Sequence, residues 1–178
     1  MAGWKDGKLH IGPHLLGRFV IAPREAIDTF FGRKRPKTKE MKLGEDWHAK
    51  LGYTNDQLFE KEFEVDGKTV VLRGVPDYID ENSVEELKTV GTKYVSERYL
   101  TGAEVQMLAY LFLTDRPNGK VRVVDRRTGD TIEEFTVFRD DERLFDIIRR
   151  FIREVEKREK SARALERFLN GGGGEGRA

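Results

Sequence analysis

Gly74-Val75-Pro76-Asp77-Tyr78-Ile79-Asp80 runs into a turn at Glu81-Asn82 and continues as Val84-Glu85-Glu86-Leu87-Lys88. The reading of the whole chain turns on this stretch. Alternate residues of a strand share a face, so Glu86 and Lys88 project together while Leu87 faces away. The turn lets the chain fold back, and pairing of the two segments brings Asp77 beside Glu86. Two carboxylates at that distance repel unless a cation lies between them. A hard divalent ion such as Mg²⁺ suits the place, because it takes oxygen ligands and keeps several waters. Lys88 beside that ion would orient or deprotonate a bound water and offset negative charge. Phosphodiester hydrolysis requires that combination. Each piece alone also fits something plainer: Glu-x-Lys a solvated cross-strand pair, and Asp77 after Pro76 an ordinary turn residue.

Downstream, residues from about Ser96 to Leu113 read as a helix with Val105, Leu108, Ala109 and Phe112 on its apolar face. Gln106 and Tyr110, four apart, share a face of that helix. Among apolar neighbours both would be mostly buried and need partners, which an active-site carboxylate or a phosphate would supply. Upstream, His48 ends Gly44-Glu45-Asp46-Trp47-His48. An imidazole there serves either as a structural residue or as a further metal ligand.

Further out, Asp66-Gly67 predicts a hairpin between a segment holding Phe59, Phe63 and Val65 and the run Thr69–Leu72. Thr128-Gly129-Asp130 predicts a second hairpin, between Lys120–Asp125 and Thr131–Phe138. The first fifty residues read as helical, with Leu15, Leu16, Phe19 and Val20 on one stripe, Ala26, Ile27, Phe30 and Phe31 on the next, and a third helix from about Lys42 to Leu51. A long amphipathic helix from Asp140 to about Leu169 carries Leu144, Ile147, Ile148, Phe151, Ile152, Val155, Ala162, Leu165 and Phe168 on one stripe. The expected organisation is one domain over 1–170, made of a helical part (1–52), a sheet and helix (53–139) and a terminal helix (140–169), then a flexible tail (171–178). The fold class expected is α/β, a mixed central sheet flanked by helices.

A chain of 178 residues with 38% hydrophobic content suits a single core. Charged residues make up 37%, yet 33 Lys and Arg nearly cancel 32 Asp and Glu, so attraction to a polyanion must come from clustering. The absence of cysteine excludes disulfides, iron–sulfur clusters, cysteine zinc sites and thiol nucleophiles, and leaves hard cations as the accessible metals. No apolar run is long enough for a membrane span and no signal-peptide core opens the chain, so the expectation is a cytoplasmic protein without a membrane partner. Heavy charge with three Met and no Cys also fits a thermophilic source.

Asp77, Glu86-Leu87-Lys88 and Gln106-x-x-x-Tyr110, preceded by the Gly44/His48 segment, resemble the RecB-type branch of the PD-(D/E)xK nucleases from about Leu43 to Tyr110. The resemblance implies a restriction-endonuclease-like fold and DNA cleavage dependent on Mg²⁺ or Mn²⁺. It implies that His48, Asp77 and Glu86 ligate the metal with the backbone carbonyl of Leu87. Lys88 would then position the attacking water, and Gln106 and Tyr110 would order the site and contact DNA. The opening helices and Ala22-Pro23-Arg24 are similar to the CRISPR-associated nucleases with a RecB-like domain. There a cysteine usually precedes Pro-Arg, and a cysteine cluster follows near the C-terminal end. Both are missing here, so the expectation is a relative without an iron–sulfur cluster, its long last helix clamping the N-terminal helices instead. Exonuclease action on single-stranded DNA ends is implied by resemblance alone. A non-catalytic DNA-binding module and an RNA-directed phosphodiesterase are the alternatives.

Two basic clusters are candidates for phosphate contact. One is the loop with Arg33, Lys34, Arg35, Lys37 and Lys39; the other is Arg149, Arg153 and Lys157 at helical spacing, continued by Arg163 and Arg167. Glu154, Glu156 and Glu159 interleave the second and equally suit solvated ion pairs. Tyr94 and Tyr99 are either base-stacking platforms or packing aromatics.

Overall fold

The computed structural model describes residues 2–34 and 36–171. Asp6 and Gly7 both adopt positive φ (51° and 74°), the conformation of a two-residue hairpin turn, and join β1 (Gly3–Lys5) to β2 (Lys8–Ile11). The expectation of an all-helical N-terminal part is therefore corrected for its first eleven residues. The physical reason is alternation: Leu9 and Ile11 point inward and are buried, while Lys8 and His10 are less so. Helices α1 (Pro13–Ile21) and α2 (Pro23–Phe30) each begin with proline, whose missing N–H costs nothing in a first turn. Thr38 caps α3 (Lys39–Lys50) by accepting from the Met41 N–H at 3.3 Å.

β3 (Phe59–Val65) and β4 (Lys68–Gly74) form the hairpin expected at Asp66-Gly67. With the first hairpin they make a sheet of order β1-β2-β4-β3, in which β2 and β4 are parallel. The second sheet takes β5 (Tyr78–Ile79), β6 (Val84–Val90), β7 (Asn118–Asp125) and β8 (Thr131–Phe138) in that order. Helix α4 (Glu97–Thr114) connects β6 to its parallel neighbour β7. The α/β class with a mixed sheet and flanking helices thus holds, with the strands divided into two four-stranded sheets.

The division falls at Val75-Pro76-Asp77, where side chains replace a strand partner. Tyr110 donates its hydroxyl to the Val75 carbonyl (2.9 Å), and Asn55 donates its side-chain amide to the Pro76 carbonyl (2.8 Å) and adds its backbone N–H to the Asp77 carbonyl (3.2 Å). Pro76 has no N–H to offer a ladder in any case.

From Val105 to Leu113 every residue of α4 is buried, so this helix forms the centre of the hydrophobic core. Helix α1 crosses it at Gly17 and Gly102, each standing where the other's backbone approaches. Helix α5 (Asp141–Gly171) buries Leu144, Ile147, Ile148, Phe151, Ile152 and Val155. Phe151 meets Phe19 and Phe30 edge-on, with centroids 5.2 and 5.5 Å away, so α5 does clamp α1 and α2. Beyond Val155 the predicted stripe fails: Leu165 and Phe168 are exposed, because the helix has run past the surface it packs on. Phe151→Ala is expected to cost about 3–5 kcal/mol in urea unfolding. Phe168→Ser should stay within about 0.5 kcal/mol of the parent. Gly171 closes α5 rather than opening a tail; the remaining tail residues, 172–178, lie outside the described residues.

Candidate active site at the junction of the two sheets

β6 pairs with β5 in the register Tyr78↔Glu85 and Ile79↔Val84, so Asp77 stands just before the first pair, on the Glu86 side. Its Oδ2 accepts the Leu87 N–H at 2.8 Å, which fixes the carboxylate against β6. Leu87 itself enters the core, and the alternation turns Glu86 and Lys88 toward α4.

There Glu86, Lys88 and Gln106 close a three-membered ring. Lys88 Nζ donates to Glu86 Oε1 and Gln106 Oε1, both at 2.6 Å, and Gln106 Nε2 donates to Glu86 Oε1 at 2.7 Å. Glu86 is only 3% exposed, and its second oxygen, Oε2, is buried without a hydrogen-bond partner among the described residues. A buried carboxylate normally satisfies both oxygens, so an orphan oxygen marks a place for a further ligand.

Burial pushes the Glu86 carboxyl up to about 7; the Asp77 charge adds to this and Lys88 opposes it. Burial also penalises the Lys88 ammonium, but the attraction of Glu86 outweighs it and holds the pKa above the ordinary lysine value. Lys88 is therefore a charged donor here, suited to stabilising negative charge. Tyr110 is driven upward by burial and then by the Glu86 charge, and stays a neutral hydroxyl. Gln106 finds the carboxylate partner expected of it; Tyr110 instead binds the Val75 carbonyl and braces the loop that carries Asp77.

His48, on α3, is aligned from both sides. Its Nδ1 lies 2.8 Å from the Gly44 carbonyl and its Nε2 lies 3.1 Å from Asp77 Oδ2. The bond to Asp77 raises its pKa to about 9 against the cost of partial burial. A folded pKa above the unfolded value of 6.5 means stabilisation that is complete below pH 6.5 and lost as pH rises through 9. In chelator, the melting temperature should fall between pH 6 and pH 9, and by less in His48→Gln. Equal falls in both proteins would contradict the pairing.

Among the described residues no three His, Asp or Glu side chains stand together as a finished metal-ligand set. What the site holds is the Asp77–His48 pair and the orphan Glu86 oxygen beside it. Oxygen donors with one imidazole are the donor types that a hard divalent ion such as Mg²⁺ or Mn²⁺ would take.

His14, Arg18 and Asn55 were not singled out from sequence. A cleft of about 260 Å³ opens beside Lys88 and Gln106 and is lined also by His14, Arg18 and Tyr99. Crowding by neighbouring groups, then the charges of Lys88 and Arg18, push His14 below the ordinary histidine value, a shift that its solvent exposure moderates. His14 and Arg18 are four apart and opposite the apolar Leu15, Leu16 and Phe19, a pattern visible in the sequence. Asn55 gave no such signal, because its partners are backbone carbonyls distant in sequence.

Two residues of the proposed basic loop pair with neighbouring carboxylates. Arg33 pairs with Asp28 at 3.1 Å and Lys37 with Glu45 at 2.6 Å; Lys34 is exposed, and Arg35 lies outside the described residues. On α5, Arg149 pairs with Asp146 (2.5 Å) and Asp66 (3.3 Å), so part of that cluster consists of ion pairs.

This two-sheet architecture with a buried central helix is the fold of known exonuclease structures. An alkaline exonuclease, LHK-Exo from Laribacter hongkongensis, superposes with a TM-score of 0.54 at 17% identity, covering 92% of this chain and 95% of that one. A phage-related exonuclease from Haemophilus somnus 129PT gives 0.53 at 13% identity, with 89% and 97% covered. A protein designated SSO0001 gives 0.60 at 18% identity, with 84% and 77% covered. At these identities the likeness is one of fold. No protein-family profile and no curated protein matches the chain.

Proposed function

We propose that this chain is a divalent-metal-dependent deoxyribonuclease that hydrolyses phosphodiester bonds, acting as an exonuclease on single-stranded DNA ends. The observation that carries the reading is the buried Glu86 carboxylate, tied by one oxygen to Lys88 and Gln106 and leaving the other free next to Asp77. A fold shared with exonucleases supports the same reading. Among the CRISPR-associated relatives it resembles, the chain would be a cluster-free member, since it has no cysteine.

Glu86 Oε2, Asp77 and His48 Nε2, which must give up the proton it shares with Asp77, would hold Mg²⁺ or Mn²⁺ with the carbonyl of Leu87. The ion supplies a polarised phosphoryl oxygen and a water acidic enough to attack at neutral pH. The protein's own groups do the rest. Lys88 stays protonated and offsets the charge that builds on the phosphorane oxygens. Gln106 fixes the directions of both Lys88 and Glu86, and Tyr110 keeps the Asp77 loop from swinging away. Arg18 and the neutral His14 border the cleft through which a phosphate would approach.

One competing reading draws on the His48–Asp77 hydrogen bond, which a non-catalytic DNA-binding module would keep as a structural tie. Such a module has no use for a buried carboxylate with an unsatisfied oxygen. The test is cleavage of 5′- and 3′-labelled linear and circular DNA in Mg²⁺, Mn²⁺ and chelator, with RNA of the same sequence beside it. Loss of label from linear single strands, abolished by chelator, is the expected result. Binding without cleavage in either metal would overturn it.

A further inference from the structure

Three pieces of backbone meet on one side of the catalytic ring: α3, the loop between β6 and α4, and the turn between β7 and β8. Trp47, the neighbour of His48, donates its indole N–H to the Arg126 carbonyl at 2.6 Å. The Arg126 N–H donates to the Val90 carbonyl at 2.8 Å. The Arg126 guanidinium lies against Gly91, where a Cβ would come within 2.6 Å of Nη2. Arg126 is thus held at the base of the β6–α4 loop by the same helix that carries His48.

This arginine differs from the other basic residues that are neutralised. Arg33, Lys37, Arg149 and Arg158 each have a carboxylate within ion-pair distance. Arg126 is half-buried, yet among the described residues its only side-chain hydrogen bond is to the Glu40 carbonyl, at 3.4 Å, and no carboxylate pairs with it. The Glu40 carboxylate feels its charge without pairing with it, so the guanidinium keeps donors that an incoming anion can use. Tyr99 lines the cleft with Lys88 and Gln106 and feels the charges of Lys88, Glu86 and Arg126. In the loop that follows Gly91, Lys93 and Tyr94 are exposed, and the Lys93 charge is felt by Asp125. Tyr94 is 89% exposed, more than any other large hydrophobic residue described, and Thr92 holds the loop tip by donating to the Tyr94 carbonyl at 2.7 Å.

We infer that the line Tyr99, Arg126, Lys93 and Tyr94 is a track for single-stranded DNA leading to the cleft, with a phosphate on Arg126 and a base stacked on Tyr94. A cation at the base of a loop and an aromatic ring at its tip are the two elements that sequence-tolerant strand binding uses. A duplex keeps its bases stacked and has none to offer the ring. The inference rests on the nuclease reading only for what happens at the end of the track.

The test is fluorescence anisotropy in chelator, so that binding is read without turnover. The probes are a labelled oligothymidylate, an abasic strand of equal length, and a duplex. Tyr94→Ala, at a fully solvated position, should weaken oligothymidylate binding by about 5- to 100-fold and leave the abasic strand unaffected. Arg126→Gln and Lys93→Gln should each weaken both strands and lower the salt slope by about 0.7 for each phosphate no longer neutralised. The exposed Lys93 variant covers the case in which Arg126→Gln unfolds. Equal effects of Tyr94→Ala on thymidylate and abasic strands would overturn the stack, and unchanged salt slopes would overturn the phosphate contacts. A wild-type protein that cleaves DNA but shows no preference for single strands over duplex sinks the track and spares the nuclease. The expected binding pattern without any metal-dependent cleavage does the reverse.

Discussion

Glu86→Gln is expected to lower DNA cleavage in saturating Mg²⁺ or Mn²⁺ by at least about 10²–10³-fold, with the protein still folded. The substitution is nearly isosteric. Its carbonyl oxygen can still accept from Lys88 and Gln106, which bind Oε1 at 2.6 and 2.7 Å, but the negative charge and the second carboxylate oxygen are gone. The choice of variant matters because of burial. Glu86→Ala strands the Lys88 ammonium, 16% exposed at its side chain, without the carboxylate that keeps it charged. Breaking a buried pair by removing one partner costs about 3–5 kcal/mol, so lost activity in that protein would be hard to separate from lost structure. Initial rates across metal concentration, paired with a urea unfolding curve for the same preparation, decide the matter. Cleavage within a few-fold of wild type, at wild-type stability, would remove Glu86 from the chemistry.

The Asp77–Glu86 proximity was legible because it rests on local rules. A turn, a period of two and a short antiparallel register suffice to place the two carboxylates, and Tyr78↔Glu85 is that register. Gln106 meeting Glu86 was legible for a similar reason, since a polar side chain buried on α4 requires a partner and the carboxylates were the ones on offer. Tyr110 followed the same rule but found a backbone carbonyl, a kind of partner that leaves no mark in sequence. The β1–β2 hairpin was missed although Asp6-Gly7 is the same dipeptide as Asp66-Gly67. Its strands are three and four residues long, too short for alternation to stand out, and β2 is held by a parallel pairing with β4 some sixty residues away. The pairing of the basic loop was not legible. Its charges are conspicuous in one dimension, but Asp28 and Glu45, which pair with two of them, lie on the neighbouring helices.

Gly17→Ala is expected to destabilise the protein by about 1–3 kcal/mol or more and to reduce activity beyond what that instability explains. Gly17 is helical, so alanine raises no objection from backbone conformation; on propensity alone it would stabilise α1. The obstacle is α4. A Cβ at position 17 would lie 2.5 Å from the Gly102 carbonyl oxygen and 3.3 Å from Gln106 Cβ. The first neighbour is helix backbone and cannot turn aside, so the helices must separate. The second belongs to the residue that orients Lys88 and Glu86, so separation moves the Glu86–Lys88–Gln106 ring with it. A displacement of about 1 Å in a positioning group can cost on the order of 10²-fold in rate. Gly102→Ala provides the comparison: its Cβ meets chiefly the flexible end of Ile21, with the Gly17 carbonyl at 3.0 Å. It should therefore be the milder of the two in urea, and milder still in turnover measured well below the melting temperature. If Gly17→Ala matches wild type in both, then α1 and α4 are not rigidly apposed and the positioning of Gln106 does not depend on their crossing.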